Sequence, residues 1–275
     1  MATIRVPEEV PSPAQDSETL NQAFRGWGTD EKAIIRVLGK RNESQRRKIR
    51  ESYKEKYGKD LIDDLSSELS GDFMKAVILW TYDPAERDAR LANKVLLKVL
   101  VEISCTTSPT YLIAVRKAYC SLFDSSLEEH ILPKLLVTLA SSFRYDKDKV
   151  DAEVATIESA MLREAIVLYI LGTRSVYQLR QTFVAYKQSY GNTIDKLRSL
   201  LQMVILCIDS PEKHFAKVVS ESIEGFGTDE DSLTRAIVTR AEIDLMKVRG
   251  EYYNSSMIIG DVSGDYKDFL ITLLG

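Results

Sequence analysis

Two short loops in the sequence combine paired glycines with a distant carboxylate, a pattern suited to binding a hard cation. The first loop is Gly26-Trp27-Gly28-Thr29, and Glu68 follows 42 residues after Gly26. The second is Gly225-Phe226-Gly227-Thr228, and Asp261 follows 36 residues after Gly225. Glycine tolerates positive φ, so the backbone carbonyls of such a loop can converge on one point. Ca²⁺ prefers oxygen ligands, including carbonyls and carboxylates, so the sequence predicts one calcium site at each loop.

A second interpretation treats the same loops as the starts of helices. Thr29 and Thr228 are then N-caps, and the acids that follow suit the positive end of the helix. Capping explains the threonines and the acids, but it does not explain two glycines around a large aromatic residue. Weaker secondary metal sites from Thr29 with Glu31, and from Thr228 with Glu230, stay open beside the favoured capping role.

The elements that must position these loops repeat along the chain. Four positions align at spacings of 66, 67 and 66 residues: Arg41, Thr107, Arg174 and Arg240. A tyrosine follows each of them twelve residues later: Tyr53, Tyr119, Tyr186 and Tyr252. The repeated phase predicts four equivalent units, and it predicts that the tyrosines are buried at equivalent places in each unit.

Within a unit the apolar residues follow the helical period. Ala33, Ile34, Val37 and Leu38 share one helical face, and Asp83-Pro84 is a helix-start signal. No segment favours strands, so the fold is predicted to be all-α, with four repeats of short helices after an extended, proline-bearing arm. The predicted ranges are 1–15 for the arm and 16–82, 83–146, 147–209 and 210–275 for units 1 to 4.

Composition excludes several classes of protein. The chain has 275 residues and a net charge of −4, which disfavours nucleic-acid binding. No apolar stretch is long enough for a transmembrane helix or a signal peptide. Three cysteines without C-x-x-C spacing indicate neither a disulfide framework nor a zinc site, and they favour a reducing cytosol. Cys105 and Cys207 have apolar neighbours and are expected to be buried thiols, with pairing under oxidation as the alternative.

These loops, their distant acids and the four repeats resemble the annexin family. The resemblance covers the chain from about Ser17 and implies a curved disc whose convex face carries the calcium sites. Residue by residue, it implies calcium ligands from the carbonyls of Phe24, Gly26 and Gly28 with the Glu68 carboxylate. In unit 4 the implied ligands are Ile223, Gly225, Gly227 and Asp261. The absence of G-x-G-T from the middle units and the placement of Cys105 and Cys207 resemble the plant branch.

The resemblance implies a cytoplasmic protein that docks peripherally on anionic phospholipid membranes when calcium rises. Because the net charge of −4 gives no direct attraction to anionic lipid, a calcium bridge is needed. Trp27 and Phe226 are expected at headgroup level, where aromatic residues prefer to lie; the alternative for Trp27 is a core position. Actin is a further candidate partner, and no enzymatic activity is expected.

Units 2 and 3 depart from the family pattern, since both lack the glycine loop and the acid segment. They are therefore expected to bind no calcium. Their short inter-helix segments indicate either a shortened natural variant or a sequence from which loop residues are missing. A helical-repeat scaffold that binds proteins without an ion remains the alternative function.

Overall fold

The computed structural model describes residues 1–26, 28–94, 97–130, 194–224, 227–251 and 262–275. All regular structure in these ranges is helical, which confirms the all-α prediction, and none of these helices is long and apolar enough to cross a bilayer. The first nine helices are α1 (Pro13–Ala23), α2 (Glu31–Leu38), α3 (Glu43–Tyr57), α4 (Leu61–Glu68), α5 (Gly71–Thr81), α6 (Pro84–Asn93), α7 (Leu97–Thr106), α8 (Pro109–Phe123) and α9 (Leu127–His130). The remaining five are α10 (Ile194–Asp209), α11 (Pro211–Ile223), α12 (Glu230–Arg240), α13 (Leu245–Glu251) and α14 (Gly264–Leu274).

Unit 1 shows why this sequence breaks into short helices. Capping boxes at Ser12 and Asn42 start α1 and α3, because each side chain accepts the third backbone N–H of its helix. Gly58 ends α3 in the left-handed conformation with φ 69°. The face of α2 predicted from its spacing is buried, and Ile34 and Leu38 are completely inaccessible to solvent.

The described helices pack around two hydrophobic cores. The first core joins unit 1 to unit 4, with Trp80 of α5 and Phe269 of α14 both fully buried within it. The second core joins unit 2 to α10, and it includes Tyr119 and Cys207. The first and last units of the chain are therefore packed as one body.

The N-terminal arm is attached to unit 4. The Thr3 backbone N–H donates to the Ala241 carbonyl at 2.9 Å, and its hydroxyl donates to the Leu273 carbonyl at 2.6 Å. Arg5 donates to the Gly275 carbonyl at 3.2 Å. Thr3 is buried, so these hydrogen bonds hold the start of the arm against unit 4.

Two of the four repeated tyrosines lie among the described residues, and both are buried as predicted. The Tyr53 hydroxyl donates to the Asp64 carboxylate at 2.6 Å, and the Tyr119 hydroxyl donates to the Asn93 side chain at 2.9 Å. Burial raises the pKa of each phenol, and the carboxylate of Asp64 adds to the effect at Tyr53. Tyr186 and Tyr252 lie outside the described residues.

A buried ionic cluster connects the two cores. The Glu102 carboxylate of α7 pairs with Arg235 of α12 through one oxygen. The other carboxylate oxygen lies 3.0 Å from His214 Nε2 on α11. Burial lowers the pKa of His214 to about 4, so the imidazole is neutral at pH 7, and it lowers the pKa of Arg235 to about 10. A cavity of about 350 Å³ lies beside this cluster.

Cys105 and Cys207 are free thiols buried in the second core, whereas Cys120 is exposed. Burial raises the pKa of Cys207 to about 12, and the nearby Cys105 thiol contributes to the same shift. Because the thiolate is the reactive form of cysteine, these positions favour buried, unreactive thiols at neutral pH.

We expect iodoacetamide at pH 7.5 to label Cys120 much faster than Cys207 in the folded protein, by at least about tenfold, because one thiol is exposed and the other is buried and protonated. Mass spectrometry of timed digests measures both rates in one sample. Unfolding in urea is the control, since all three thiols should then react alike. Equal rates in the folded protein would contradict the burial of Cys207.

Candidate metal centre

The first glycine loop lies between the end of α1 at Ala23 and the start of α2 at Glu31. Gly26 and Gly28 have φ angles of 133° and 93°, which L side chains rarely adopt. A Cβ atom added at either position would meet nothing within 4 Å. The glycines are therefore required by the backbone conformation and not by crowding, and the loop is open toward solvent.

Asp30, not Thr29, is the N-cap of α2, so the capping role predicted for Thr29 is wrong. The Asp30 carboxylate accepts the Ala33 N–H at 2.9 Å, and its own N–H donates to the Ala23 carbonyl at 3.0 Å. The cap lies one residue later than predicted because a carboxylate is available there. Thr29 is left outside the helix, and its hydroxyl donates to the Glu68 carbonyl at 3.1 Å.

Glu68 is the last residue of α4, and its side chain is exposed. It lines a cavity of about 380 Å³ with the carboxylates of Glu31, Asp72, Glu230 and Asp265. A second cavity, of about 670 Å³, is lined by Gly26, Gly28 and Thr29 and shares Glu31 and Asp265 with the first. We call this continuous region between units 1 and 4 the acidic groove. The structure therefore brings the glycine loop and its predicted acid to one place.

Lys75 supplies positive charge at the edge of the acidic groove. Its ammonium nitrogen lies 3.0 Å from Asp72 of unit 1 and 3.2 Å from Asp231 of unit 4. Both hydrogen bonds raise the pKa of Lys75. This contact was not predicted from the sequence, although the repeated Ser-Gly-Asp segments at 70–72 and 263–265 indicate that Asp72 and Asp265 are equivalent.

The loop of unit 4 repeats the backbone of unit 1 wherever both are described. Gly227 has φ 95° against 93° for Gly28. Asp229 caps α12 through the Ser232 N–H, so the capping role predicted for Thr228 is also wrong, for the same reason. Ile223 ends α11 at the start of this loop. Four predicted site residues lie outside the described residues: Trp27, Gly225, Phe226 and Asp261.

The donor set of the first loop fits a hard cation such as Ca²⁺. Within the described ranges, no group of three or more His, Cys, Asp or Glu is arranged to hold a metal ion. A site here must therefore rely on main-chain carbonyls with a single carboxylate, which is a ligand set that Ca²⁺ accepts. The open loop leaves space for further oxygen ligands from outside the protein.

Unit 2 has no glycine anywhere between residues 83 and 150. Helix α6 ends at Asn93 and α7 begins at Leu97, which leaves no room for a loop like that of unit 1. In unit 3, the region corresponding to the loop lies outside the described residues. The absence of a glycine loop from unit 2 is therefore a property of both its sequence and its described helices.

Comparisons with known sequences identify relatives of this chain. A family model described as Annexin matches residues 15–80, 152–197 and 214–273. Annexin D3 of Arabidopsis thaliana is 74% identical, with 100% of this chain and 99% of the relative covered. That alignment spans 318 positions against 275 residues here, so this chain lacks residues that the relative has. Human Annexin A13 is 34% identical, with 94% of each chain covered.

Solved structures agree with the sequence comparisons. One titled annexin III matches with a TM-score of 0.83 at 30% identity, covering 100% of this chain and 97% of the other. Another, titled calcium-bound annexin (Sm)1, matches with a TM-score of 0.79 at 27% identity and covers 100% and 93% of the two chains. The all-helical architecture of the described residues is thus shared with these proteins.

Proposed function

The chain belongs to the annexin family of calcium-dependent phospholipid-binding proteins, and on that premise we propose that its two glycine loops bind the calcium that joins it to the membrane. In unit 1 the ligands are the carbonyls of Phe24, Gly26 and Gly28 and the carboxylate of Glu68. In unit 4 they are the carbonyls of Ile223, Gly225 and Gly227 and the carboxylate of Asp261. Units 2 and 3 bind no calcium in this proposal.

The observation that carries this proposal is the matched backbone of the two loops. Asp30 and Asp229 have the same φ of −87° and ψ values of 83° and 84°, although they lie at opposite ends of the chain. Helix capping alone needs no residue at positive φ before the cap, yet Gly28 and Gly227 both adopt it. A shared ligand geometry accounts for the repeated glycines, whereas a scaffold that needs no ion does not.

Calcium bridging also fits the charge of the protein. With a net charge of −4 and an acidic groove between the loops, the protein has no electrostatic attraction to an anionic surface without a cation. Lipid phosphate can supply the oxygens that the open loop leaves unfilled. We assign Trp27 and Phe226, at the loop tips in the sequence, to the headgroup layer, where aromatic side chains prefer to lie.

Further assignments extend the same proposal. The protein is cytoplasmic and becomes peripheral on anionic membranes when calcium rises, with actin as a candidate partner and no nucleic-acid partner. Thr29 with Glu31, and Thr228 with Glu230, are the candidate secondary metal sites. Cys105 and Cys207 are the candidate redox residues, and the proposal includes no enzymatic activity.

Vesicle co-sedimentation tests the proposal. We expect the protein to pellet with phosphatidylserine vesicles in 1 mM calcium, about tenfold more than in EGTA or with neutral phosphatidylcholine, because the bridge needs both the ion and an anionic headgroup. Magnesium at the same concentration is the control, since it demands octahedral geometry and keeps its waters. Equal pelleting with and without calcium would favour an ion-independent scaffold.

A further inference from the structure

The glycine loop and the acid-bearing segment of unit 1 are connected by one side chain. The Thr29 hydroxyl donates to the Glu68 carbonyl at 3.1 Å, across 39 residues of sequence. Among the hydrogen bonds of the described residues, we find no other between residues 24–30 and residues 64–72. Thr29 thus provides the hydrogen bond between the glycine loop and the Glu68 segment, which otherwise meet through apolar packing in the first core.

The other hydrogen bonds of the loop and of the Glu68 segment attach each of them to its own surroundings. The Asp30 N–H donates to the Ala23 carbonyl, which fixes the loop to the end of α1. Glu68 ends an eight-residue helix, and the next residue, Leu69, donates its N–H back to the Leu65 carbonyl of the same helix. Neither contact sets the distance between the loop carbonyls and the Glu68 carboxylate.

We propose that Thr29 is a positioning residue for the calcium site of unit 1, holding Glu68 beside the loop before the ion arrives. The inference rests on the proposed function, since it concerns the same site. A site assembled from two segments binds more tightly when its groups are already ordered, because less conformational entropy is lost on binding. The hydroxyl of Thr29 supplies this order without itself contacting the ion.

Two variants test the hydroxyl of Thr29 separately from its methyl group. Thr29→Val keeps the shape and removes the donor, whereas Thr29→Ser keeps the donor and removes the methyl group. Thr19→Val is a matched control, because the Thr19 hydroxyl also donates to a backbone carbonyl, that of Gln15 at 3.0 Å, on the surface of α1. It loses the same kind of bond away from the loop.

The experiment is calorimetric titration of the full chain with calcium in the presence of phosphatidylserine vesicles. Every variant carries Asp261→Asn, so that unit 1 provides the one remaining primary calcium site. Thr29→Val is expected to raise the calcium Kd about three- to tenfold, which is the effect of one neutral hydrogen bond. Thr29→Ser should stay within about twofold of the parent, and Thr19→Val should not change the Kd.

The outcomes distinguish this inference from the proposed function. An unchanged Kd in Thr29→Val overturns the positioning role and leaves the calcium site standing. A parent without calcium binding, or binding that Glu68→Gln does not weaken, overturns both. Helix content by circular dichroism checks that each variant is folded; if Thr29→Val is not, a Kd in Thr29→Ser more than about tenfold above the parent also overturns the role, because the donor is retained there.

Discussion

Replacing Glu68 with glutamine is expected to raise the calcium concentration needed for half-maximal vesicle binding by at least about tenfold, which corresponds to about 1.4 kcal/mol. The amide keeps the shape of the side chain but removes its negative charge, and calcium affinity depends on the charge of the ligands. Glu68 is exposed, so the thermal midpoint should not change. Co-sedimentation over a calcium series measures the effect.

Two further variants sharpen this test. Glu68→Asp keeps the charge on a shorter side chain and should retain part of the calcium response. Glu55→Gln makes the same chemical change at an exposed position on α3, away from the loops, and should leave binding unchanged. If Glu68→Gln and Glu55→Gln bind vesicles with the same calcium dependence, Glu68 is not a ligand.

Replacing Glu102 with alanine is expected to lower the free energy of unfolding by about 3–5 kcal/mol, the usual cost of leaving a buried charge without its partner. Glu102 and Arg235 are both buried, and Glu102 also faces His214. Urea unfolding at pH 7 measures the loss. The effect should be larger than that of any surface ion pair, because water cannot replace the missing carboxylate.

Glu18→Ala is the surface control for Glu102→Ala. Glu18 pairs with Lys56 at 3.1 Å, but both side chains are about half exposed, so the loss should stay below about 1 kcal/mol. Adding Arg235→Met to Glu102→Ala should recover part of the stability, since the unpaired cation is then removed. Equal losses from Glu18→Ala and Glu102→Ala would show that the cluster is solvated.

Local patterns in the sequence were sufficient to predict much of the fold. The spacing of Ile34 and Leu38 predicted a buried helical face, and the repeated phase predicted that Tyr53 and Tyr119 are buried. Both predictions are confirmed, because helical period and repeat phase are properties of neighbouring residues. The glycine loop of the unit 1 site could be predicted in the same way, since paired glycines indicate positive φ.

Other features depend on tertiary packing and could not be predicted from spacing. Thr29 was the predicted cap of α2, but Asp30 caps the helix and the Thr29 hydroxyl donates to the Glu68 carbonyl, which comes from a different helix. Glu102 and Arg235 lie 133 residues apart and meet only because unit 2 packs against unit 4. The one sequence feature that indicated a buried ion pair was the carboxylate of Glu102 within the apolar stretch of α7.

The first hydrophobic core holds units 1 and 4, which carry the two glycine loops, in one body, although these units lie at opposite ends of the chain. In the proposed function, membrane attachment is therefore bivalent. Once the first loop holds a lipid, the second meets the bilayer at an effective concentration of about millimolar, set by the groove and not by the amount of protein in solution. Detachment requires both bridges to open before either closes again, so residence time on the membrane increases more steeply with calcium than the affinity of either loop alone.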